Sequence, residues 1–122
     1  MKTFMLVLRD RPGEFRELPP EEMQRIIGLY RAWAQKMEAL GRLAGGHKLH
    51  DEGGQVLRRV DGRLTVKDGP FAETKEVVSG YFLIRAKDYA EVLELCRDHP
   101  HLSFEGEPIE VREVDLLESV GD

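Results

Sequence analysis

The sequence predicts an α+β domain in which two helices cover one face of a mostly antiparallel sheet. Two observations predict this class: apolar residues recur at helical spacing in only two segments, and segments rich in β-forming residues lie between and around them. The chain has 122 residues, which fits one domain of ordinary size. We therefore interpret residues 1–122 as a single domain.

The N-terminal half is predicted to form a strand, a long helix and a second strand. Residues 2–8 are apolar and β-forming, as in a strand buried on both faces. Residues 21–41 follow two prolines and end at Gly41, with glutamates in the first turn, and their apolar residues recur every three or four positions. That pattern indicates a helix with one broad apolar face. Residues 42–50 follow as a strand that contains two glycines.

The C-terminal half is predicted to form a hairpin, a strand, a short helix and a last strand. Asp61-Gly62 is a strong two-residue turn signal between two short β-forming runs. Residues 77–85 form the next strand, and Asp88 caps a helix over residues 89–97. Residues 101–107 are predicted to be a loop, and residues 108–116 the last strand. The order β-α-β-hairpin-β-α-β is the ferredoxin-like split βαβ plan with an extra hairpin.

The uncovered face of such a sheet needs a partner, and a second copy of the chain is the simplest one. We therefore expect a homodimer. The net charge of -5 and the even spread of Lys and Arg argue against direct binding of nucleic acid. The longest apolar runs are far shorter than the roughly 20 residues of a membrane span, and the N-terminus has no signal-peptide cleavage site. We expect a cytoplasmic protein without membrane association.

Cys96 is the single cysteine, so no internal disulfide can form, and its position on an apolar helix face predicts a core residue. The sequence has no phosphate loop, dinucleotide fingerprint, nucleophile elbow or Cys-x-x-Cys motif. We therefore expect no organic cofactor.

The stretch "VKDGPFAETKEVVSGYFLI" at residues 66–84 resembles the DGPF branch of the YCII-related family. The resemblance extends to "FMLVLR", "LPPEEMQ", "ALGRLAGG", "DYAEVLELCRDHPHL" and "IEVREV", which together span almost the whole chain. It implies a ferredoxin-like subunit that pairs sheet to sheet into a dimeric α/β barrel. Relatives of this fold include muconolactone-isomerase-like and dehydrochlorinase-like enzymes as well as proteins that bind small metabolites. DGPF proteins also occur beside extracytoplasmic-function sigma factors, which implies a regulatory setting.

The predicted catalytic pair is Asp68 and His47. Asp68 precedes Gly69 at the end of a strand, where a carboxylate either accepts hydrogen bonds from its own turn or acts as a general acid or base. YCII-type proteins are thought to use an aspartate in this way, often with a histidine. His47 departs from the family pattern, but it lies among glycines and could meet Asp68 if their strands are neighbours.

The predicted substrate-binding residues surround this pair. Lys75 and Arg9 could hold an anionic group, and Glu76 lies inside the family motif beside Lys75. The alternatives are ordinary ones: surface ion pairs for Lys75 and Glu76, and a snorkelling side chain for Arg9. Phe71 is either a plug for the turn or a platform for substrate. Tyr81 is either a core residue or an acid.

The histidines raise the question of a metal site. The spacings "HKLH" at residues 47–50 and "HPH" at residues 99–101 invite a zinc interpretation. In a strand, however, His47 and His50 would point to opposite faces, and "HPH" falls in a predicted loop. We expect no bound metal.

Three hypotheses for function remain open. The first is a small cofactor-independent acid–base enzyme, a lyase, isomerase or dehalogenase-like activity on a small anionic metabolite. The second is a metabolite-binding or regulatory module linked to extracytoplasmic-function sigma factors. The third is a purely structural dimer. Fold analogy alone supports the enzyme class, and the sequence does not name a substrate.

Overall fold

The structure is a computed structural model that describes residues 1–11, 18–50, 54–69, 76–104 and 106–117. Its elements follow the predicted order, with one additional 3₁₀ turn. They are β1 (Lys2–Asp10), α1 (Pro20–Ala39), β2 (Leu43–Lys48), β3 (Gln55–Val60), β4 (Arg63–Asp68), β5 (Val77–Ala86), α2 (Tyr89–Cys96), the 3₁₀ turn Pro100–Ser103 and β6 (Ile109–Glu113).

Four strands form an antiparallel sheet in the order β2-β5-β1-β6, and β3 and β4 form a separate hairpin. The order follows from two crossovers, since α1 connects β1 to β2 and α2 connects β5 to β6. This arrangement is a mixed α+β fold consistent with the ferredoxin-like plan. The predicted strands and both predicted helices are confirmed.

The core lies between the helices and the inner face of the sheet. Alternate residues of β1 are fully buried, among them Phe4 and Leu6. They pack against Trp33 and Met37 of α1, as the helical spacing of apolar residues predicts. The Trp33 indole donates a hydrogen bond to the carbonyl of Leu95 at 3.3 Å, which ties α1 to α2.

Two predicted details at the ends of elements are also confirmed. The Asp88 carboxylate accepts a hydrogen bond from the backbone N–H of Glu91 at 2.9 Å, so Asp88 is the N-cap of α2. Cys96 lies in the core, and burial raises the pKa of its thiol to about 11. A thiol in this state is a packing residue rather than a nucleophile.

The outer face of the sheet is less covered. Met5, Val7, Tyr81 and Leu83 alternate with the core residues of β1 and β5 and are half-buried. The β3–β4 hairpin turns at Asp61 and Gly62, whose φ angles of 50° and 76° match a type I′ turn. Its apolar side chains are largely exposed, namely Leu57, Val60, Leu64 and Val66. Sheet-to-sheet pairing with a second copy stays a prediction.

The segment after α2 differs from the predicted open loop, because it folds back into the protein. His99 and His101 are 2% and 1% exposed, on either side of the proline that begins the 3₁₀ turn. The ring of His99 packs against Trp33, with 4.3 Å between centroids. Burial, with a smaller contribution from His101, lowers the pKa of His99 to about 4, so its ring is a neutral core group.

Within the described residues, no helix combines the length and hydropathy that crossing a membrane would need.

Candidate functional site

A cavity of about 510 Å³ lies between α1 and the strands β1, β5 and β2. The apolar face of α1 extends beyond Trp33 and Met37, which pack in the core. Its other apolar residues line one wall of the cavity. Most of the lining is apolar, including Leu8, Met23, Ile26, Ile27, Ala34 and Phe82. The polar side chains among the lining residues include Asp10, Tyr30, Arg31 and Lys48. The cavity therefore has an apolar body and a few convergent polar groups, as ligand sites generally do.

Two glycines allow β2 and β5 to approach closely along the cavity wall. A Cβ atom at Gly46 would lie 2.9 Å from the carbonyl oxygen of Tyr81. A Cβ atom at Gly80 would lie 2.9 Å from the carbonyl oxygen of His47. Because both obstacles are backbone atoms, they cannot rotate away as a side chain could. The absence of a side chain at Gly46 and Gly80 therefore permits the close contact between the two strands.

His47 and Tyr81 form a hydrogen-bonded pair, with 2.8 Å between His47 Nδ1 and the Tyr81 hydroxyl. The two residues are partners in the β2–β5 ladder. Phe82 contacts Trp33 on the helical side of the sheet, so strand alternation directs the neighbouring Tyr81 side chain to the outer face. His47 and Tyr81 border the cavity, but their side chains form a pair on the other face of the sheet.

A second polar group lies at the end of β1, where Asp10, Tyr30 and His101 meet. The Tyr30 hydroxyl is 2.9 Å from His101 Nδ1, and His101 Nε2 is 2.9 Å from the carbonyl oxygen of Arg9. A carbonyl only accepts, so Nε2 carries a proton, and in the neutral ring Nδ1 then accepts from Tyr30. Asp10 Oδ1 lies 3.6 Å from His101 Nε2. The carboxylate of Glu107, which is also buried, lies beside this pair.

Comparison with known proteins identifies the family of this chain. The chain matches the family model of the YCII-related domain over residues 2–115. This chain belongs to the YCII-related family. It is also 33% identical over 97 residues to an uncharacterized protein, R00369, of Rhizobium meliloti (strain 1021), an alignment that covers 79% of this chain and 78% of that protein. Assignment to the DGPF branch stays a prediction.

In this YCII-related protein, Asp68 and His47 lie on strands that are not neighbours. Asp68 is exposed at the end of β4 and pairs with Gln55 of β3, whereas His47 pairs with β5. Among the residues that the structure describes, no hydrogen bond or ion pair joins the two side chains. Asp68 is also not among the residues that line the cavity. Their joint catalytic role stays a prediction, and the condition that we set for it, neighbouring strands, is not met.

The other predicted residues are distributed around the sheet. Arg9 donates two hydrogen bonds to Glu110, at 3.2 and 2.9 Å. These bonds lower the pKa of Glu110 below its usual value. Glu76 is exposed just before β5. Lys75 and Phe71 lie outside the described residues, so their predicted roles are untested.

Sequence reasoning did not select Asp10, Tyr30, His101 or Glu107 for the site. The sequence analysis ended the first strand at residue 8 and predicted burial on both faces, whereas in the structure β1 alternates between buried and less buried residues and continues to the buried Asp10. A carboxylate at a buried position of a strand is uncommon and therefore informative. The "HPH" stretch was a signal, which we set aside because it falls in a predicted loop.

Proposed function

We propose that this YCII-related protein binds a small metabolite with an apolar body and an anionic group. The cavity between α1 and the sheet is the single observation that carries this proposal. Its volume of about 510 Å³ falls within the range of roughly 300–1,000 Å³ for small-molecule sites. An apolar body of modest size gains free energy by leaving water for such walls.

The anionic group is assigned from the charges at the rim. Arg31 projects from α1 and Lys48 ends β2, and both residues are exposed while lining the cavity. Guanidinium and ammonium groups at a cavity mouth attract and orient carboxylates or phosphates. Lys48 also donates to the carbonyl of Leu49 at 2.9 Å, which keeps its ammonium group near the end of the strand.

The acid–base enzyme is the second candidate, and Asp10 favours it. Asp10 is a buried carboxylate that lines the cavity and lies next to His101. A general acid or base must reach the proton of a bound substrate. Asp10 meets that requirement better than Asp68 does. A lyase, isomerase or dehalogenase-like step would therefore use Asp10. The regulatory alternative, with a sigma factor as partner, requires binding without turnover.

The test is a ligand screen by thermal unfolding, with a matched pair of cavity variants. Ala34 lines the cavity, whereas Ala32 is exposed on the same helix. A panel of carboxylates with apolar bodies of graded size should include one that raises the Tm of wild type. At a hundredfold excess over Kd, binding stabilises the native state by about 2.7 kcal/mol. Ala34→Phe should abolish the shift, and Ala32→Phe should preserve it.

Two results would overturn the binding proposal. One is a full panel without any concentration-dependent rise in Tm for wild type. The other is a rise that persists in Ala34→Phe, because the ligand would then bind elsewhere. A substitution Arg31→Gln should weaken binding of the anionic ligand while leaving an uncharged analogue unaffected.

We also propose that the outer face of the sheet pairs with a second copy of the chain. Met5, Val7 and Leu83 supply apolar surface on that face, and burying such surface is the usual driving force for association. Sedimentation should show a dimer for wild type and a monomer for Leu83→Lys. Leu93→Lys is the control, since Leu93 is 59% exposed on α2. A monomeric wild type at high concentration would refute the pairing.

A further inference from the structure

Three buried side chains from distant parts of the chain converge at the end of β1. Asp10 comes from β1, His101 from the 3₁₀ turn, and Glu107 from the segment before β6. Each offers one nitrogen or oxygen atom, and these atoms lie within 4.8 Å of one another. The three residues are 6%, 1% and 4% exposed, so water has little access to their charges.

Burial of the Asp10 carboxylate in this cluster is not compensated by a hydrogen bond to Oδ1 from any described residue. The Asp10 side chain is 9% exposed. Glu107 has a cationic neighbour, since Arg11 Nε lies 3.4 Å from Glu107 Oε1. Burying a carboxylate is costly unless a positive charge or hydrogen bonds compensate it. Two adjacent carboxylates increase that cost by their mutual repulsion.

We propose that Asp10, His101 and Glu107 bind a divalent transition-metal cation. Donors held at about 2.0–2.2 Å from an ion in tetrahedral geometry lie roughly 3.3–3.6 Å from one another. The three donor atoms here lie within 4.8 Å of one another, so side-chain movements of about 1 Å would bring them to that geometry. One imidazole nitrogen with two carboxylates suits Zn²⁺, Mn²⁺ or Fe²⁺ better than Ca²⁺, which prefers oxygen ligands alone.

The surroundings of His101 can accommodate such an ion. Coordination through Nε2 requires the proton to move to Nδ1, which then donates to the Tyr30 hydroxyl at the present distance of 2.9 Å. A tyrosine hydroxyl can accept as well as donate, so this bond persists with its direction reversed. Metal-bound histidines generally donate their other N–H to a neighbouring oxygen in this way. The ion would replace the present hydrogen bond of 2.9 Å between Nε2 and the carbonyl oxygen of Arg9.

The site would connect directly to the cavity, because Asp10 lines it. Three protein ligands leave at least one coordination position open, as in catalytic metal sites. The anionic group of a cavity ligand, or a water molecule, could occupy that position. Asp10 would then act as a ligand, and a metal-bound water would replace it as the acid–base group.

Metal content and metal titration test the proposal without any organic ligand, so their failure is distinct from failure of the cavity proposal. Untagged protein is stripped with chelator and titrated with Co²⁺, whose visible absorption reports coordination, and with Zn²⁺ by calorimetry. Wild type should bind a single ion and gain Tm. Asp10→Asn and Glu107→Gln should each weaken binding by at least about tenfold, since even outer-shell changes have effects of that size. His50→Asn is the control, because His50 is exposed and outside the cluster.

The variants also separate loss of metal binding from loss of folding. Without metal, Asp10→Asn removes an uncompensated buried charge, so its Tm should equal or exceed that of stripped wild type. Circular dichroism identifies a variant that fails to fold, and Glu107→Gln then carries the test. The proposal is overturned if stripped wild type shows no Co²⁺ spectrum and no rise in Tm. It is equally overturned if both folded variants bind the ion as tightly as wild type, or if His50→Asn weakens binding as much as they do.

Discussion

Replacing Gly80 by alanine tests the close contact between β2 and β5 that forms one wall of the cavity. Gly80 lies in β5, between β1 and β2, and pairs with Leu8 on one side and Lys48 on the other. The added methyl carbon would lie 2.9 Å from the carbonyl oxygen of His47 and 3.3 Å from Lys48 Cα. Since β5 is bonded on both edges, it cannot shift without disturbing a ladder. Forced packing of this kind costs about 1–3 kcal/mol.

Gly28→Ala is the matched control, because it makes the same chemical change in open space. Gly28 lies inside α1, and a Cβ atom there would meet nothing within 4 Å. Alanine in a helix interior is more favourable than glycine by about 0.5–1 kcal/mol. The two variants should therefore shift the free energy of unfolding in opposite directions and differ by about 1.5–4 kcal/mol.

Urea denaturation followed by circular dichroism measures both free energies, with the m-value as a check on two-state unfolding. Equal m-values and a lower midpoint for Gly80→Ala are expected. If Gly80→Ala has the midpoint of wild type or a higher one, the strands can separate to admit a methyl group. The account of the cavity wall as a backbone contact would then be wrong, even if Gly28→Ala behaves as expected.

Two further predictions concern the core. Met37→Ala should destabilise the protein by about 2–5 kcal/mol, because Met37 is fully buried and removing its side chain leaves a cavity. The control is Leu40→Ala, at a site that is 54% exposed, which should change stability by no more than about 0.5 kcal/mol. Similar values for both in urea denaturation would contradict the assigned core. Cys96 should react slowly with thiol reagents in the native protein and rapidly in urea, since a pKa of about 11 leaves about a thousandth of the thiol ionised at pH 8. Prompt reaction of the native protein would show that Cys96 is accessible.

The elements of this fold could be predicted because they depend on local patterns. The apolar spacing of residues 21–41 defines α1, and Asp61-Gly62 specifies a turn whose backbone angles the structure reproduces. The order of the four-stranded sheet follows from helices that cross on one side. The 3₁₀ turn at Pro100–Ser103 was not predicted, although it has local features: Pro100 begins it, and the His99 ring caps it by accepting a hydrogen bond from the His101 N–H.

The candidate site was predicted less well, for a physical reason. The cluster of ionisable residues in the family motif led us to predict a site at Asp68 and its neighbours. Whether a hairpin strand is exposed depends on what packs against it, which the motif does not show. Arg9 and His101 are 92 positions apart in the chain. The spacing of apolar residues predicts local elements and does not predict a contact between residues so far apart. Burial of a polar residue is decided by tertiary packing, so the sequence singled out His47 among the four histidines, whereas the buried ones are His99 and His101.

The main chain at the end of β1 explains why Asp10, His101 and Glu107 converge. The β1–β5 register shifts between Leu8 and Arg9, and such bulges commonly redirect strands beside functional sites. At this bulge the Arg9 N–H donates to the carbonyl of Pro108 at 3.2 Å, and the Arg9 carbonyl accepts from His101. These two bonds fix the segments that carry Glu107 and His101 against Asp10. Arg9 thus positions the cluster through its backbone. Its guanidinium group bonds to Glu110, and its predicted contact with substrate stays a prediction.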